Sequence, residues 1–266
     1  MVDSAGLDTG FRHWRVGLVI APGVVMLILA LLLVKPIAQD PNYHNFADQR
    51  VWLGIAHFGD VITNAAFIIV GASGLGYIYR ARSARGAFAF DRERVVWAVF
   101  FTGILLTGFG SAWYHLQPDN ARLVWDRLPM TFAFMSLFSA VVSERIDVRA
   151  GTVILGPLVI VGLVSVGWWA FTEHQGQGDL RPYGLVQFYP LVGVMLMLVL
   201  FPSRYTRGND YWVALSCYAA AKLGELLDHH IFNINGVISG HSLKHLLAAA
   251  SGWWMLRMVQ RRRANV

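Results

Sequence analysis

Eight apolar blocks recur along the 266-residue chain, and each is close to the length that a helix needs to cross the hydrocarbon core of a bilayer. The blocks are residues 16–34, 55–79, 95–115, 128–143, 152–171, 185–201, 211–227 and 241–258. Only 14% of the residues are charged, whereas a soluble domain has about 25%. The sequence therefore predicts an all-α, polytopic membrane protein with eight transmembrane helices, or one plus seven. No polar stretch is long enough for a separate soluble domain.

The fourth block is short and begins beside Pro129, a residue type that is tolerated in the first turn of a helix. We therefore expect the fourth helix to start there. Asp126 is then expected in the preceding loop or at the start of this helix. In that position its carboxylate could simply cap the helix.

The basic residues are distributed unevenly between the two sides of the predicted bundle. If the N-terminus is placed in the cytoplasm, fifteen of the 22 Lys and Arg residues fall on that side and five on the other, while Lys222 and Lys244 fall within helices. Such a bias orients membrane proteins, so both termini are predicted to be cytoplasmic. The same bias indicates that the net charge of +6 orients the protein in the membrane and does not bind nucleic acid. We therefore interpret the basic run 261–263 as a stop signal at the membrane surface.

This topology brings five polar residues to one depth near the outer side. Ser111 and His115 end the third block, Asp126 follows it, and His241 and His245 begin the eighth. Two imidazoles at i and i+4 project from one helix face about 6 Å apart. Three imidazoles with a fourth position left for water form an open zinc site of the catalytic type. Zinc would lower the pKa of the bound water towards about 7.

Each of these residues also has a purely structural interpretation. A histidine in a transmembrane helix commonly bonds a neighbouring polar group, and Ser111 could bond a carbonyl of its own helix. In the catalytic interpretation, Asp126 holds or deprotonates the zinc water and Ser111 donates to a developing oxyanion. The coincidence of the five residues favours the second interpretation.

A row of charged residues precedes the last block, in "KLGELLDHH". Lys222 and Glu225 are spaced to form an ion pair within the membrane, where an isolated charge is costly. Alternatively, Glu225 and Asp228 could orient the metal histidines by accepting hydrogen bonds from the ring nitrogens that do not bind the metal. Lys244 lies three residues after His241, and could either reach the outer surface or bind a substrate head-group oxygen.

Three motifs together resemble the alkaline ceramidase family. They are "GFGSAWYH", an aspartate eleven residues further on in "WDRLPM", and "GHSLKHLLAA" near the C-terminus. This family belongs to a superfamily of seven-helix membrane hydrolases that also includes the adiponectin and progestin receptors. The resemblance covers residues 43–258 and implies a seven-helix bundle preceded here by one extra helix.

The resemblance also implies a chemistry. It implies one zinc ion held by His115, His241 and His245, with Ser111 and Asp126 beside the zinc water. The reaction of the family is hydrolysis of the amide bond of ceramide to a sphingoid base and a fatty acid. The implied domains are an N-terminal segment with the extra helix (residues 1–40), a hydrolase domain (41–260) and a basic cytoplasmic tail (261–266).

One region departs from the family pattern. Eukaryotic members bind calcium through acidic residues near the first core helix, but the corresponding stretch here, "YHNFADQRVWLGIAHFGDVITN", has His57 where a glutamate is expected. Asn45 and Asp48 remain as oxygen donors, yet Ca²⁺ prefers six to eight oxygens. We therefore do not expect a Ca²⁺ site. These residues could tie the loop to the bundle or bind another ion.

The leading hypothesis is a zinc-dependent amidohydrolase that cleaves ceramide or a related N-acyl lipid. A site just below the outer interface suits a lipid substrate, and neither a nucleic acid nor a protein partner is indicated. We expect it in a bacterial inner membrane with the site facing the periplasm. The alternatives are a receptor-like sensor with structural zinc, an intramembrane serine protease using Ser111, and a transporter using the charged row; the last lacks duplicated halves.

Overall fold

The computed structural model describes residues 4–80 and 87–265, with side chains from residue 13 onward. The elements in chain order are α1 (Ser4–Leu33), a 3₁₀ turn (Pro41–His44), α2 (Phe58–Ile62), α3 (Ala65–Arg80), α4 (Glu93–Leu116), α5 (Asn120–Arg145), α6 (Val148–His174), α7 (Arg181–Leu200), α8 (Asp210–Leu226), α9 (Asp228–Asn235) and α10 (Gly240–Arg261). Among the fifteen basic residues assigned to the cytoplasmic side, Arg82, Arg85 and the side chain of Arg12 lie outside the described part.

The predicted all-α bundle is confirmed. The eight apolar blocks correspond to α1, to α2 with α3, to α4 through α8, and to α10. Five described segments are long and apolar enough to cross a membrane: His13–Leu33, Phe58–Arg80, Glu93–Leu116, Val148–His174 and Arg181–Leu200. Helices α5 and α10 are less apolar because they carry polar side chains that face the interior of the bundle, and α8 is shorter, with 17 residues.

The predicted start of the fourth helix is wrong. Helix α5 begins at Asn120, where the Asp119 carboxylate accepts a hydrogen bond of 2.7 Å from the backbone N–H of Arg122. This is an N-cap, so Asp126 is neither in a loop nor a cap, and Pro129 lies inside the helix. A proline has no N–H to offer the carbonyl of the residue four before it, which is Trp125. Gly110 of α4 packs directly against that carbonyl oxygen.

The helices alternate in direction, so the chain crosses between two ends of the bundle. We call the end at which α4 finishes and α10 begins the site end. Helix α5 packs against α4, α6 and α7, while α8 packs against α10. Gly240 allows the start of α10 to approach the backbone of Gly224 and Asp228. A cavity remains between the α5–α7 side and the α8–α10 side.

The extra helix α1 is joined to α7 at three heights. Arg15 donates to the Leu200 carbonyl at 2.9 Å, the Tyr189 hydroxyl donates to the Val19 carbonyl, and Arg181 donates to the Ala30 carbonyl at 3.2 Å. The last contact caps the end of α1, where carbonyls have no partner within the helix. Helix α1 is therefore attached along the bundle rather than held by its loop alone.

The predicted basic tail is partly internal at the end opposite the site. Arg262 is only 2% exposed, and its guanidinium lies 3.3 Å from a Glu144 carboxylate oxygen and 4.1 Å from the Tyr205 ring centre. It also donates to the Ala87 carbonyl at 2.9 Å. Because of these contacts, Arg262 closes the bundle at this end instead of lying at a surface.

Candidate metal centre and its cavity

Three buried histidines meet at the site end. His115 comes from the last turn of α4, and His241 and His245 come from the first turns of α10. Their ring centres are 4.7 Å apart for His115 and His241, 5.0 Å for His115 and His245, and 4.8 Å for His241 and His245. One nitrogen from each lies within 4.8 Å of the others, close enough to hold one metal ion.

Two of the ring nitrogens show how an ion fits. Among the residues that the structure describes, His115 Nδ1 and His245 Nε2 are buried and have no hydrogen-bond partner. The Thr63 hydroxyl donates to the Gly59 carbonyl at 2.8 Å, so it can only accept from His245 Nδ1, which lies 3.0 Å away. The proton of His245 is thereby placed on Nδ1, and the lone pair of Nε2 faces its neighbours. A divalent ion that binds neutral imidazoles suits this donor set.

The start of α10 is fixed by carboxylates that do not touch the imidazoles. Asp228 accepts from the backbone N–H of His241 at 2.8 Å and from that of Ala47 at 2.9 Å. Asp60 accepts from the hydroxyls of Ser239 at 2.7 Å and Ser242 at 2.6 Å. Asp228 therefore positions the helix that carries His241 rather than its ring. Asp60 positions the same helix. It was not predicted, because no motif or spacing in the sequence identifies it.

Ser111 and Asp126 lie beside the histidines, as the spacing predicts. Both are buried, and the Ser111 hydroxyl and the Asp126 carboxylate line the same cavity. Their neighbours in sequence, Gly110 and Trp125, form the close contact between α4 and α5. The same helix crossing therefore sets the position of both side chains.

The charged row forms a chain of ion pairs that ends at a histidine. Lys222 and Lys244 donate to different oxygens of Glu225, the second at 2.6 Å. The ammonium of Lys244 also lies 3.3 Å from His241 Nε2. The Lys244 side chain is 17% exposed, so it turns into the site and does not extend to the outer surface. Glu225 contacts His241 only through Lys244.

A loop covers the histidines from the site end. Phe46 in this loop is 4% exposed, and its ring centre lies 4.6 Å from that of His115 and 4.4 Å from that of His241. His44 holds the loop by hydrogen bonds to the Tyr114 hydroxyl at 2.8 Å and to the Asn120 side chain at 2.9 Å. Phe46 was not predicted, because a single aromatic residue in a loop has no periodicity to reveal its direction.

The residues considered for a second ion bind protein groups instead. The Asp48 carboxylate receives two hydrogen bonds from Arg50, at 2.7 and 2.8 Å. His57 Nδ1 lies 2.9 Å from the Asp48 carbonyl, and the Asn45 carbonyl bonds His229 at 2.8 Å. Burial raises the pKa of Asp48, but the hydrogen bonds from Arg50 outweigh it and hold this pKa below its ordinary value. Among the described residues, the cation that contacts the Asp48 carboxylate is the guanidinium of Arg50.

An apolar cavity of about 130 Å³ opens from the candidate metal centre into the bundle. Ser111, Asp126 and His245 line its site end, and Phe100 and Met255 line its far end. Ser111 and Phe100 are eleven residues apart on α4, which corresponds to roughly 16 Å along a helix axis. That length is close to half of the roughly 30 Å hydrocarbon core, the depth that one lipid tail occupies.

Comparison with known proteins bears directly on this site. The sequence model of the family described as ceramidase matches residues 20–223, which is most of the chain. The chain belongs to the ceramidase family. The match supports a ceramidase-type hydrolase that acts at a membrane on a lipid amide. No curated protein matches the chain significantly.

The ceramidase match covers only part of the candidate site. It includes Ser111, His115 and Asp126, and it stops before Glu225 and before the histidines of α10. Because the fold brings His241 and His245 against His115, the structure adds the rest of the centre independently of the match. The match also starts within α1, earlier than residue 43, where the motif resemblance begins.

Proposed function

We propose that this ceramidase-family protein is a zinc-dependent amidohydrolase that cleaves ceramide or a related N-acyl lipid into an amine, such as a sphingoid base, and a fatty acid. The observation that carries the proposal is that His245, one of three buried histidines that lie together, lines the same apolar cavity as Ser111 and Asp126. His115, His241 and His245 would hold the ion. When bound, zinc supplies an acidified water and polarises the amide carbonyl.

The cavity supports a substrate with a single tail inside the bundle. Most of the other residues that line it are apolar. An acyl chain along this cavity would place its amide group beside the histidines. Burial of the chain contributes about 0.8 kcal/mol for each methylene, so tail binding supplies most of the affinity and the polar residues orient the amide.

Asp126 is the proposed proton carrier. Its carboxylate takes a proton from the attacking water, whose oxygen forms the new bond to the acyl carbon. Once Asp126 is protonated, its carboxylate no longer attracts the serine hydroxyl as strongly, so the Ser111 hydroxyl can donate to the developing oxyanion. Asp126 then passes the proton to the leaving nitrogen as the C–N bond breaks. The products are a free amine and a fatty acid.

Phe46 and the loop around it exclude bulk water from the histidines. The ring stands edge-on against His115 and His241. A lipid would therefore enter from the membrane side, between helices. We place the site at the extracytoplasmic face of a bacterial inner membrane, with both termini cytoplasmic, on the distribution of the basic residues. The three domains proposed from the sequence are retained, with α1 packed on the hydrolase domain.

A lipid-hydrolysis screen tests this function. Purified protein is incubated with N-acyl sphingoid bases of short and long chain, and free fatty acid is measured with and without a chelator. We expect release that the chelator abolishes and that falls by at least a hundredfold, or about 2.7 kcal/mol, in Asp126→Asn. Release that is unchanged in Ser111→Ala and in Asp126→Asn would contradict their roles. A metal-loaded protein without turnover on any substrate would favour the sensor alternative.

A further inference from the structure

Lys244 is an ammonium group built into the wall of the candidate site. It stands on α10 between His241 and His245 and lines the same cavity as Ser111 and Asp126. Its side chain is 17% exposed, and its Nζ lies 3.3 Å from His241 Nε2. A charged lysine in such a position is costly unless it is paired, and the function proposed above gives it no role.

Glu225 fixes the position of this ammonium. One carboxylate oxygen accepts from Lys244 at 2.6 Å and lies 3.5 Å from the Tyr43 hydroxyl, while the other oxygen accepts from Lys222. An ammonium has three N–H donors and no acceptor. The single bond to Glu225 therefore leaves donors that point towards His241 and the cavity.

The charges around the cavity are balanced before a substrate reacts. The charged side chains that line it are two carboxylates, Asp126 and Glu225, and two ammonium groups, Lys222 and Lys244. Amide hydrolysis creates negative charge on the acyl oxygen, first in the tetrahedral intermediate and then in the carboxylate product. That charge has no cationic partner other than the ion unless a lysine donates to it.

We propose that Lys244 binds the acyl oxygen, which is the carbonyl oxygen of the substrate and a carboxylate oxygen of the fatty-acid product. This inference rests on the proposed function and names the residue that recognises the acyl side of the amide. His241 Nε2, which the ammonium now contacts, could hold the ion; binding there would free a donor of Lys244 for the acyl group. The amine product, being cationic, is repelled from the same position.

The inference predicts that the protein prefers a negatively charged ligand. This preference can be measured by binding alone, without turnover. Binding of hexadecanoate and of hexadecan-1-ol, which share one chain length, is measured on the purified metal-loaded protein. In the wild type the acid should bind more tightly than the alcohol. In Lys244→Met the ratio of the two affinities should fall by about ten- to hundredfold, the usual effect of a hydrogen bond to a charged group. The affinity for the alcohol should be unchanged.

Lys222→Met is the matched control. Lys222 carries the same charge, bonds the same carboxylate and lines the same cavity, but it stands on α8 and contacts Glu225 rather than a histidine. We expect its ratio to stay within about threefold of the wild type, since a distant charge contributes less than a direct bond. An equal fall in both variants, or no fall in Lys244→Met, would overturn the inference.

Metal content and melting temperature show whether Lys244→Met retains its fold. If it does not, Lys244→Gln, which keeps a polar group without the charge, decides the question by the same ratio. The two proposals fail separately. Selective binding through Lys244 without any hydrolysis would contradict the proposed function alone. Hydrolysis by the wild type with an unchanged ratio in the Lys244 variants would contradict only the role of Lys244.

Discussion

Gly110 of α4 lies directly against the carbonyl oxygen of Trp125 in α5. Pro129 leaves that carbonyl without its partner in the helix, because a proline has no N–H to donate. A Cα–H group of glycine can approach such an oxygen closely. The next residue of each helix, Ser111 in α4 and Asp126 in α5, is thereby brought to the same cavity. A helix contact and a candidate catalytic pair have the same structural origin.

Gly110→Ala should separate this pair. A methyl group at position 110 overlaps the Trp125 carbonyl oxygen, so α4 and α5 must move apart, at a cost of about 1–3 kcal/mol for overpacking. We expect a lower melting temperature together with a larger loss of hydrolysis. Gly156→Ala is the matched control, since a methyl group there meets no atom within 4 Å. Equal behaviour of the two variants would show that the contact does not position Ser111 and Asp126.

Thr63→Val should weaken metal binding without removing a ligand. The valine cannot accept the hydrogen bond from His245 Nδ1, so the ring loses the partner that sets its tautomer and orientation. We expect about a ten- to hundredfold lower affinity for zinc, measured by competition with a chelator. Thr152→Val serves as control, because Thr152 bonds carbonyls of its own helix. Unchanged zinc affinity in Thr63→Val would contradict the assignment of Nε2 as the ligand atom.

Arg50 and Asp48 should make stability depend on pH. The hydrogen bonds from Arg50 hold the pKa of Asp48 below its ordinary value, which is about 3.9 in an unfolded chain. The stabilisation is therefore fully present above that pH and is lost as the pH falls through the lower pKa of the folded state. Melting temperature measured between neutral pH and pH 3 should show this loss. Asp48→Asn should be less stable at neutral pH and should lack this part of the acid transition.

The matched control for Asp48 is Asp91→Asn. Asp91 also pairs with an arginine, Arg94, but its side chain is 95% exposed, and exposed pairs contribute little. We expect its curve of melting temperature against pH to follow the wild type. If Asp48→Asn follows the wild type as well, Arg50 is not the cation that ties the loop to the bundle.

Met255→Trp should shorten the cavity. Met255 lines its far end and is 1% exposed, so a larger side chain there would occupy the space of the last methylenes of an acyl tail. Each methylene lost from burial costs about 0.8 kcal/mol. Hydrolysis should shift towards shorter acyl chains, as measured with a chain-length series. The control is Met195→Trp, at an exposed position, which should leave the chain-length preference unaltered. If Met255→Trp also leaves it unaltered, the acyl tail does not occupy this cavity.

The sequence revealed those parts of the site that follow a regular spacing. His241 and His245 are i and i+4 on one helix, and the apolar blocks bring them to the depth of His115, so their meeting follows from helix geometry and topology. Pro129 predicts a helix start, which puts Asp126 in the preceding loop or at that start, whereas the cap is Asp119. Phe46 could not be found, since its place depends on a loop path that tertiary contacts determine.

Zinc analysis of the purified protein tests the central claim most directly. We predict about one zinc ion for each wild-type chain, as a site with three histidines holds. The ion should be lost in His115→Ala, His241→Ala and His245→Ala alike, and it should be retained in His174→Ala, whose histidine lies at the end of α6 and outside the cluster. A wild-type protein that binds no metal, or a metal that persists in all three histidine variants, would contradict the account.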